Sequence, residues 1–355
     1  MEEKEEIRKI QFTGKSSYIV SLPKQWILEL GLKQGDQVRM KRKDSSTLEI
    51  YPSKFETRSE KEEATIEISD EETSSIVRKL ISLYFLGYKI INIKSKTGRL
   101  DPNQRNTIKK SVKKMLMGSE IISDSNTGIT IQVLVNLLDL SINGAFKRMF
   151  NLAISMSNDA ILAMSENNLE IAQEVINTDD EVDRFGFYII RQLEIAIQNE
   201  YMLKEMGFKN ARDCLGYRLI VKNIERTGDH AVLIANDIIE FKNPIKKEIV
   251  EKIQEMHKFA LSVLDDSCVA LFIENYTLAE KTIVKAREIT KYEKKVKDVS
   301  KSLKDDEEIY RIRRIMENIS RVSEYASDIA EIVLNMNIEK LLKKNSLVIH
   351  GNSIP

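Results

Sequence analysis

Four acidic side chains stand at a spacing that suits ion chemistry. Asp179 and Asp183 lie four residues apart, and so do Glu225 and Asp229. On a helix, residues i and i+4 share a face. Like charges placed there repel by roughly a few tenths of a kcal/mol. Two such pairs facing each other could hold a hard or borderline cation through oxygen ligands. Taken singly, each pair also reads as an ordinary solvated helix face. Gly228 falls inside the second pair. A mid-helix glycine costs about 1 kcal/mol relative to alanine, so its position points to a close approach by a neighbouring helix or a ligand. His230 comes next but lies too far round the helix to share that face.

Catalytic patterns are missing. The chain has three histidines, no nucleophile-and-base constellation and no phosphate-cradling glycine loop. A metal-dependent hydrolase built on the carboxylates is therefore disfavoured, and the chain is expected not to be an enzyme.

The carboxylates need long helices to position them. Residues 139–344 show helical periodicity throughout, with breaks near Asn167-Asn168, Gly207-Phe208, Asn243-Pro244, Asn275 and Asp305-Asp306. These breaks predict about six helices of roughly 25 to 30 residues, lengths that suit a bundle. The stretch Arg218 to Ala235 recurs without a gap at Arg313 to Ala330, ninety-five residues later. Asn223-Ile224, Arg226, Ala231 and Ile234-Ala235 all have counterparts. Two three-helix repeats follow, about 139–242 and 246–340. In the second, Ser320, Ser323, Glu324 and Tyr325 replace Glu225, Gly228, Asp229 and His230, so any cluster belongs to the first repeat.

Two smaller segments precede the helices. Residues 62–136 alternate strand and helix patterns and read as a small α/β domain without a recognisable motif. Residues 7–54 read β-β-α-β-β, with Pro23 opening a short helix and Gly31 closing it. So small a unit has too little core to stand alone and should dimerise. Its charge is lopsided. Between Ile7 and Lys43 there are nine basic residues and two acids, a local excess of seven in a chain whose net charge is zero.

Cys214 and Cys268 each sit in an apolar-periodic stretch and are expected to be reduced core thiols. No apolar run approaches the ~18 residues of a membrane span. The acidic start Met1-Glu2-Glu3-Lys4-Glu5-Glu6 lacks a secretory signal, so a cytoplasmic location is expected.

The run Asn223-Ile-Glu-Arg-Thr-Gly-Asp-His-Ala231, following Asp179-Asp-Glu-Val-Asp183, resembles the PhoU family. That family carries a tandem three-helix repeat with acidic x-x-x-spaced motifs. The resemblance implies that Asp179, Asp183, Glu225 and Asp229 ligate a multinuclear metal cluster of iron, zinc or a similar metal. The departures in the second repeat imply at most one such site. It also implies negative regulation of phosphate uptake, with a phosphate ABC transporter ATPase or a sensor kinase at the membrane face as partner. Gly14-Lys-Ser-Ser-Tyr-Ile-Val-Ser-Leu-Pro-Lys-Gln-Trp26 and Gly31-Leu-Lys-Gln-Gly35-Asp36 are similar to the AbrB/SpoVT swapped-hairpin DNA-binding domain. That likeness implies a homodimer gripping double-stranded DNA, and Arg8, Lys9, Lys15 and Lys24 are the expected contacts. The combination of both domains resembles archaeal PhoU-like regulators. The expected architecture is thus multidomain: a small swapped-hairpin β domain, a small α/β domain, then an all-α tandem three-helix-bundle domain. The expected role is a DNA-binding regulator of phosphate homeostasis that senses metal, phosphate or a transporter partner. The alternative is a cytosolic adaptor that acts on the transporter or kinase without touching DNA.

Overall fold

A computed structural model describes residues 7–14, 17–42, 45–52, 61–135, 140–198 and 200–350, with only the backbone described for residues 41, 200–201, 340–341 and 343–350. The chain divides into two compact units, Met1–Arg58 and Ser59–Pro355.

The first unit follows the β-β-α-β-β order, in shorter elements than the sequence suggested. Strands β1 (Gln11–Thr13) and β2 (Ser17–Ile19) form one antiparallel hairpin, and β3 (Val38–Arg42) and β4 (Leu48–Pro52) form another. Helix α1 (Lys24–Glu29) lies between them. Pro23 is its N-cap rather than its first turn, and Gly31 follows the C-cap at φ +65°. No residue of α1 is buried. Ile7 is 96% exposed, Tyr18 74% and Phe12 61%. Among the described residues of this unit, no apolar side chain joins a buried core cluster.

The second unit opens with an α/β layer. Its order is β5 (Glu63–Ile68), α2 (Thr73–Phe85), β6 (Ile90–Ser95), α3 (Pro102–Met115), β7 (Ser119–Asp124) and β8 (Gly128–Val133). The strands lie in the order β5-β6-β8-β7, and only the β5–β6 pair is parallel. A parallel pair needs a long crossover, which α2 supplies. Ile68, Ile91, Ile93, Ile129 and Ile131 pack with Ile76 and Leu80 of α2 and Ile108 and Val112 of α3. Asp101 caps α3, accepting from the Asn103 and Gln104 amides. Asp70 does not cap α2; that helix starts behind Glu72, after a tight turn in which the Glu71 amide donates to the Ser69 carbonyl.

The helical segment contains α4 (Ile142–Glu166), α5 (Leu169–Ala196), the short α6 (Glu200–Glu205) and α7 (Ala211–Ile239), then α8 (Lys247–Phe272), α9 (Tyr276–Ala286), α10 (Ile289–Ser300) and α11 (Asp306–His350). The first two helices of each repeat meet at the same turn. Asn167 and Glu274 both take a left-handed φ of 50°, and the next residue, Asn168 or Asn275, caps the following helix with its side chain. A left-handed residue stops a helix and Asn starts one well. The second repeat departs from six uniform helices. Where α5 runs unbroken, its counterpart splits into α9 and α10. The Ala286 carbonyl freed by that break accepts from the Ser323 hydroxyl at 3.2 Å. Helix α11 runs 45 residues, well past the expected end.

Helices α7 and α11, the matching third helices, pack on each other. A Cβ on Gly216 would lie 2.8 Å from Met336 Sδ and 3.1 Å from Ile332 Cγ2, so a side chain here would have to push both aside. Further along the same interface, the buried Asp237 carboxylate meets Arg314 at 3.2 Å and Arg311 at 3.6 Å.

The α/β layer docks on α5 through a buried cation. Arg191, 1% exposed, donates to the Tyr84 and Gly87 carbonyls at the end of α2, and its guanidinium lies 4.9 Å from the Tyr84 ring centroid. Phe187 meets Phe85 edge-on, and Lys114 of α3 pairs with Asp180 at 2.5 Å. A basic residue at a helix C-terminus satisfies carbonyls that have no partner within the helix. Here the cation comes from a different helix, which ties the two layers together.

Candidate metal centre

Helices α5 and α7 bring the four carboxylates together. Asn168 caps α5 at the Glu170 and Ile171 amides, and Asn210 caps α7 at the Asp213 amide. Gly186 of α5 approaches Val221 of α7, and Val182 approaches Gly228. Those apolar contacts set the register that puts Asp179 and Asp183 opposite Glu225 and Asp229.

The site is electrostatically strained. Burial first, then the charges of Asp229, Asp180 and Glu225, push the Asp179 carboxyl up to about 6. Burial first, then Glu225, Asp179 and Asp229, push Asp183 up to about 7, against a small opposing pull from Lys222. Such shifts arise when carboxylates share a poorly hydrated site. Asp179 Oδ1 is buried without a hydrogen-bond partner. An unsatisfied buried acceptor of this kind calls for a missing partner. Lys222 engages Glu225 one turn away. With the side chains so placed, no group of three or more His, Cys, Asp or Glu among the described residues is arranged to hold a metal ion. The donors are all carboxylate oxygens, the type a hard cation prefers, but Glu225 is turned toward its neighbouring lysine.

Two details differ from the reading of the sequence. A Cβ on Gly228 would lie 3.5 Å from Val182 Cγ1 and 3.6 Å from Asp179 Oδ1, ordinary contact distances. Gly216, not Gly228, is the glycine at which a side chain would crowd the neighbouring helix. The absent Cβ at 228 instead leaves open the space beside the orphaned Asp179 oxygen. His230 faces α11, as its place on the helix suggested. Its Nδ1 stands 2.7 Å from Asn318 Oδ1 and its Nε2 2.8 Å from the Tyr325 hydroxyl. The amide oxygen can only accept, so Nδ1 donates to it, and in the neutral ring Nε2 then accepts from the tyrosine hydroxyl. Tyr325 is the residue ninety-five positions after His230, so the two repeats lock through equivalent positions.

The matching place in the second repeat is neutralised from within. The shared left-handed turns set an offset of 107 residues, which places Ala286 and Thr290 where the first repeat has Asp179 and Asp183. Ser320 donates to Glu293 at 2.5 Å, Lys297 pairs with Glu293 at 3.2 Å and Arg321 pairs with Glu324 at 2.7 Å. Carboxylates so engaged have their charge balanced already.

The cations of the first unit are placed more simply. Arg8, Lys9 and Lys24 are exposed, and Lys15 lies outside the described residues.

Residues 146–238 and again 253–333 match the family model of the PhoU domain. The helical segment is PhoU-like. The two PhoU matches fall one on each set of helices, and the carboxylates lie within the first. Residues 11–58 match the model described as antidote-toxin recognition MazE, bacterial antitoxin. The phosphate-specific transport system accessory protein PhoU homolog of Streptococcus pneumoniae serotype 4 is 22% identical over 206 residues, covering 57% of this chain and 94% of that protein. The protein of the same description from Aquifex aeolicus is 30% identical over 139 residues, covering 39% of this chain and 61% of that one. Among solved structures, the phosphate transport system regulatory protein PhoU from S. pneumoniae aligns with TM-score 0.46 and 21% identity, over 54% of this chain and 91% of that one. PhoU from Pseudomonas aeruginosa aligns with TM-score 0.41 and 21% identity, over 54% and 93%. No helix among the described residues is long and apolar enough to cross a membrane.

Proposed function

We propose that the chain is a DNA-binding regulator of phosphate uptake whose PhoU-like domain holds a cation between α5 and α7. The observation that carries this reading is the presence in one chain of a MazE-type match over 11–58 and two PhoU matches behind it. The names of the PhoU relatives support a role in phosphate transport. The first unit, with its exposed apolar side chains and excess of basic residues, supports a homodimer that grips double-stranded DNA. Asp179, Asp183, Glu225 and Asp229 would hold the metal, which would neutralise their mutual repulsion and give the Asp179 oxygen a partner. A transporter ATPase or sensor kinase would be the partner of the PhoU-like domain.

Salt dependence tests the DNA reading. If Arg8, Lys9, Lys15 and Lys24 of two protomers contact phosphates, log K should fall against log salt with a slope of about −7. Arg8→Ala with Lys9→Ala should reduce that slope by about 3 to 4. The measurement is fluorescence anisotropy of the full chain on mixed genomic duplex fragments at several salt concentrations. Binding that is absent, or indifferent to salt, would leave the adaptor reading, in which the first unit recognises protein as the MazE description suggests.

A further inference from the structure

The α/β layer carries a cavity that neither the DNA nor the cation reading uses. It has a volume of about 250 Å³, and Arg99, Arg105, Lys109, Asn106 and Asn126 line it over an apolar floor at Leu100. Drug-sized sites begin near ~300 Å³, so this one suits a small ligand. Three separate stretches build it: the β6–α3 loop, the first two turns of α3 and the β7–β8 turn.

Hydrogen bonds fix its walls. The Leu100 amide donates to the Asn126 carbonyl at 2.8 Å, which joins the two loops. The Ser95 hydroxyl donates to the Arg99 carbonyl at 2.8 Å and that of Thr97 at 3.3 Å. The Ser125 amide donates to the Gly128 carbonyl at 2.9 Å, which closes the turn that presents Asn126.

The charge is unbalanced. Arg105 and Lys109 share a single carboxylate, Asp124, at 2.7 and 2.8 Å. The Arg99 guanidinium has no ion-pair partner among the described residues. Asp101 is the nearest further acid in sequence, and its carboxylate accepts from the α3 amides of Asn103 and Gln104. Three permanent cations thus face one cavity with one carboxylate between two of them. The Asn106 and Asn126 side-chain amides add neutral donors. A tetrahedral oxyanion uses this combination well, because guanidinium and ammonium groups bind its oxygens by charge-assisted hydrogen bonds. We propose that this cavity binds a phosphate-type anion, either inorganic phosphate or a phosphomonoester whose organic part rests on Leu100. Asp124 occupies the cations until the ligand arrives and competes with it.

The position has a consequence for the α5–α7 site. Arg105 and Lys109 stand on α3, whose last turn carries Lys114 and pairs with Asp180, the neighbour of Asp179. An anion bound at the start of α3 therefore acts on the helix that touches the carboxylate-bearing α5. The proposal holds or fails independently of DNA and metal binding.

Isothermal titration of the full chain, treated with a chelator, tests it with inorganic phosphate and AMP as probes at matched ionic strength. Saturable binding of one anion per chain is expected. Preference for phosphate identifies the free ion as ligand class, and preference for AMP identifies a phosphomonoester. Arg99→Ala with Lys109→Ala should weaken binding by at least about tenfold. Asp124→Asn should tighten it, since it removes the internal competitor. Thermal melts confirm that each variant folds. No saturable binding of either probe, or unchanged affinity in both cavity variants, would overturn the proposal.

Discussion

Arg191→Ala should destabilise the second unit by about 3 kcal/mol, and the damage should be concentrated in residues 61–135. The guanidinium satisfies the Tyr84 and Gly87 carbonyls while 1% exposed. Hydrogen bonds from a charged donor contribute roughly 1.5–3 kcal/mol each, and acceptors left unpaired in the interior cost more than bonds that were never made. Removing the cation also relieves its own desolvation, visible as the lowered proton affinity that burial imposes on Arg191. That offset keeps the net below the gross sum. Arg191→Lys should recover only part of the loss, because an ammonium cannot span two carbonyls as a planar fork does. Hydrogen exchange reads the effect directly. Amides of β5, β6 and α2 should lose protection while those of α8 and α11 keep theirs. A stability change within about 0.5 kcal/mol, the range of an ordinary surface substitution, would show that Arg191 does not join the layers.

The second large effect concerns charge. In metal-free protein, Asp183→Asn should stabilise the fold at pH 7.5 by about 2 kcal/mol and do nothing at pH 4. Burial and the neighbouring carboxylates raise Asp183 to about 7 and Asp179 to about 6, whereas both titrate near ~3.9 in the unfolded chain. The native state therefore binds more protons than the unfolded state between about pH 4 and 7. Stability must fall as pH rises through that window and level off above it. The Asp183 shift corresponds to an upper bound of about 4 kcal/mol. Residual solvent contact reduces it to about half. Urea melts at pH 4.5 and 7.5 in chelator measure both ends. Equal effects of Asp183→Asn at the two pH values would contradict the electrostatic origin of the strain.

Much of this arrangement was legible in the chain, and the gaps have physical causes. The carboxylate pairs were readable because i,i+4 spacing fixes a shared face whatever the tertiary structure. Asn168 and Asn275 were readable because their caps are local chemistry. The split between α9 and α10 was not. Ala286-Arg287-Glu288-Ile289 contains no Gly, Pro or Asn, and the break is supported by Ser323 from another helix. Arg191 was equally opaque, since its partners are backbone carbonyls more than a hundred residues away and carbonyls carry no sequence signal. Gly228 stands out in the sequence for sitting between two acids, yet Gly216 is the residue at which a side chain would crowd its neighbours. Only the position of α11 distinguishes them. The basic cavity escaped notice because Arg99, Arg105 and Asn126 are scattered in sequence, and a turn and a loop bring them together.

Metal content of the purified full chain tests the central claim most directly. The four carboxylates of α5 and α7 repel one another, and one of their oxygens lacks a partner. A bound cation removes both costs, and its binding stabilises the folded state in proportion to its occupancy. Elemental analysis should find metal in the wild-type chain and a loss of that metal in Glu225→Ala/Asp229→Ala, with the helical signal and the melting transition of the variant retained. Equal metal in both proteins, or none in either after growth in metal-replete medium, would contradict the account.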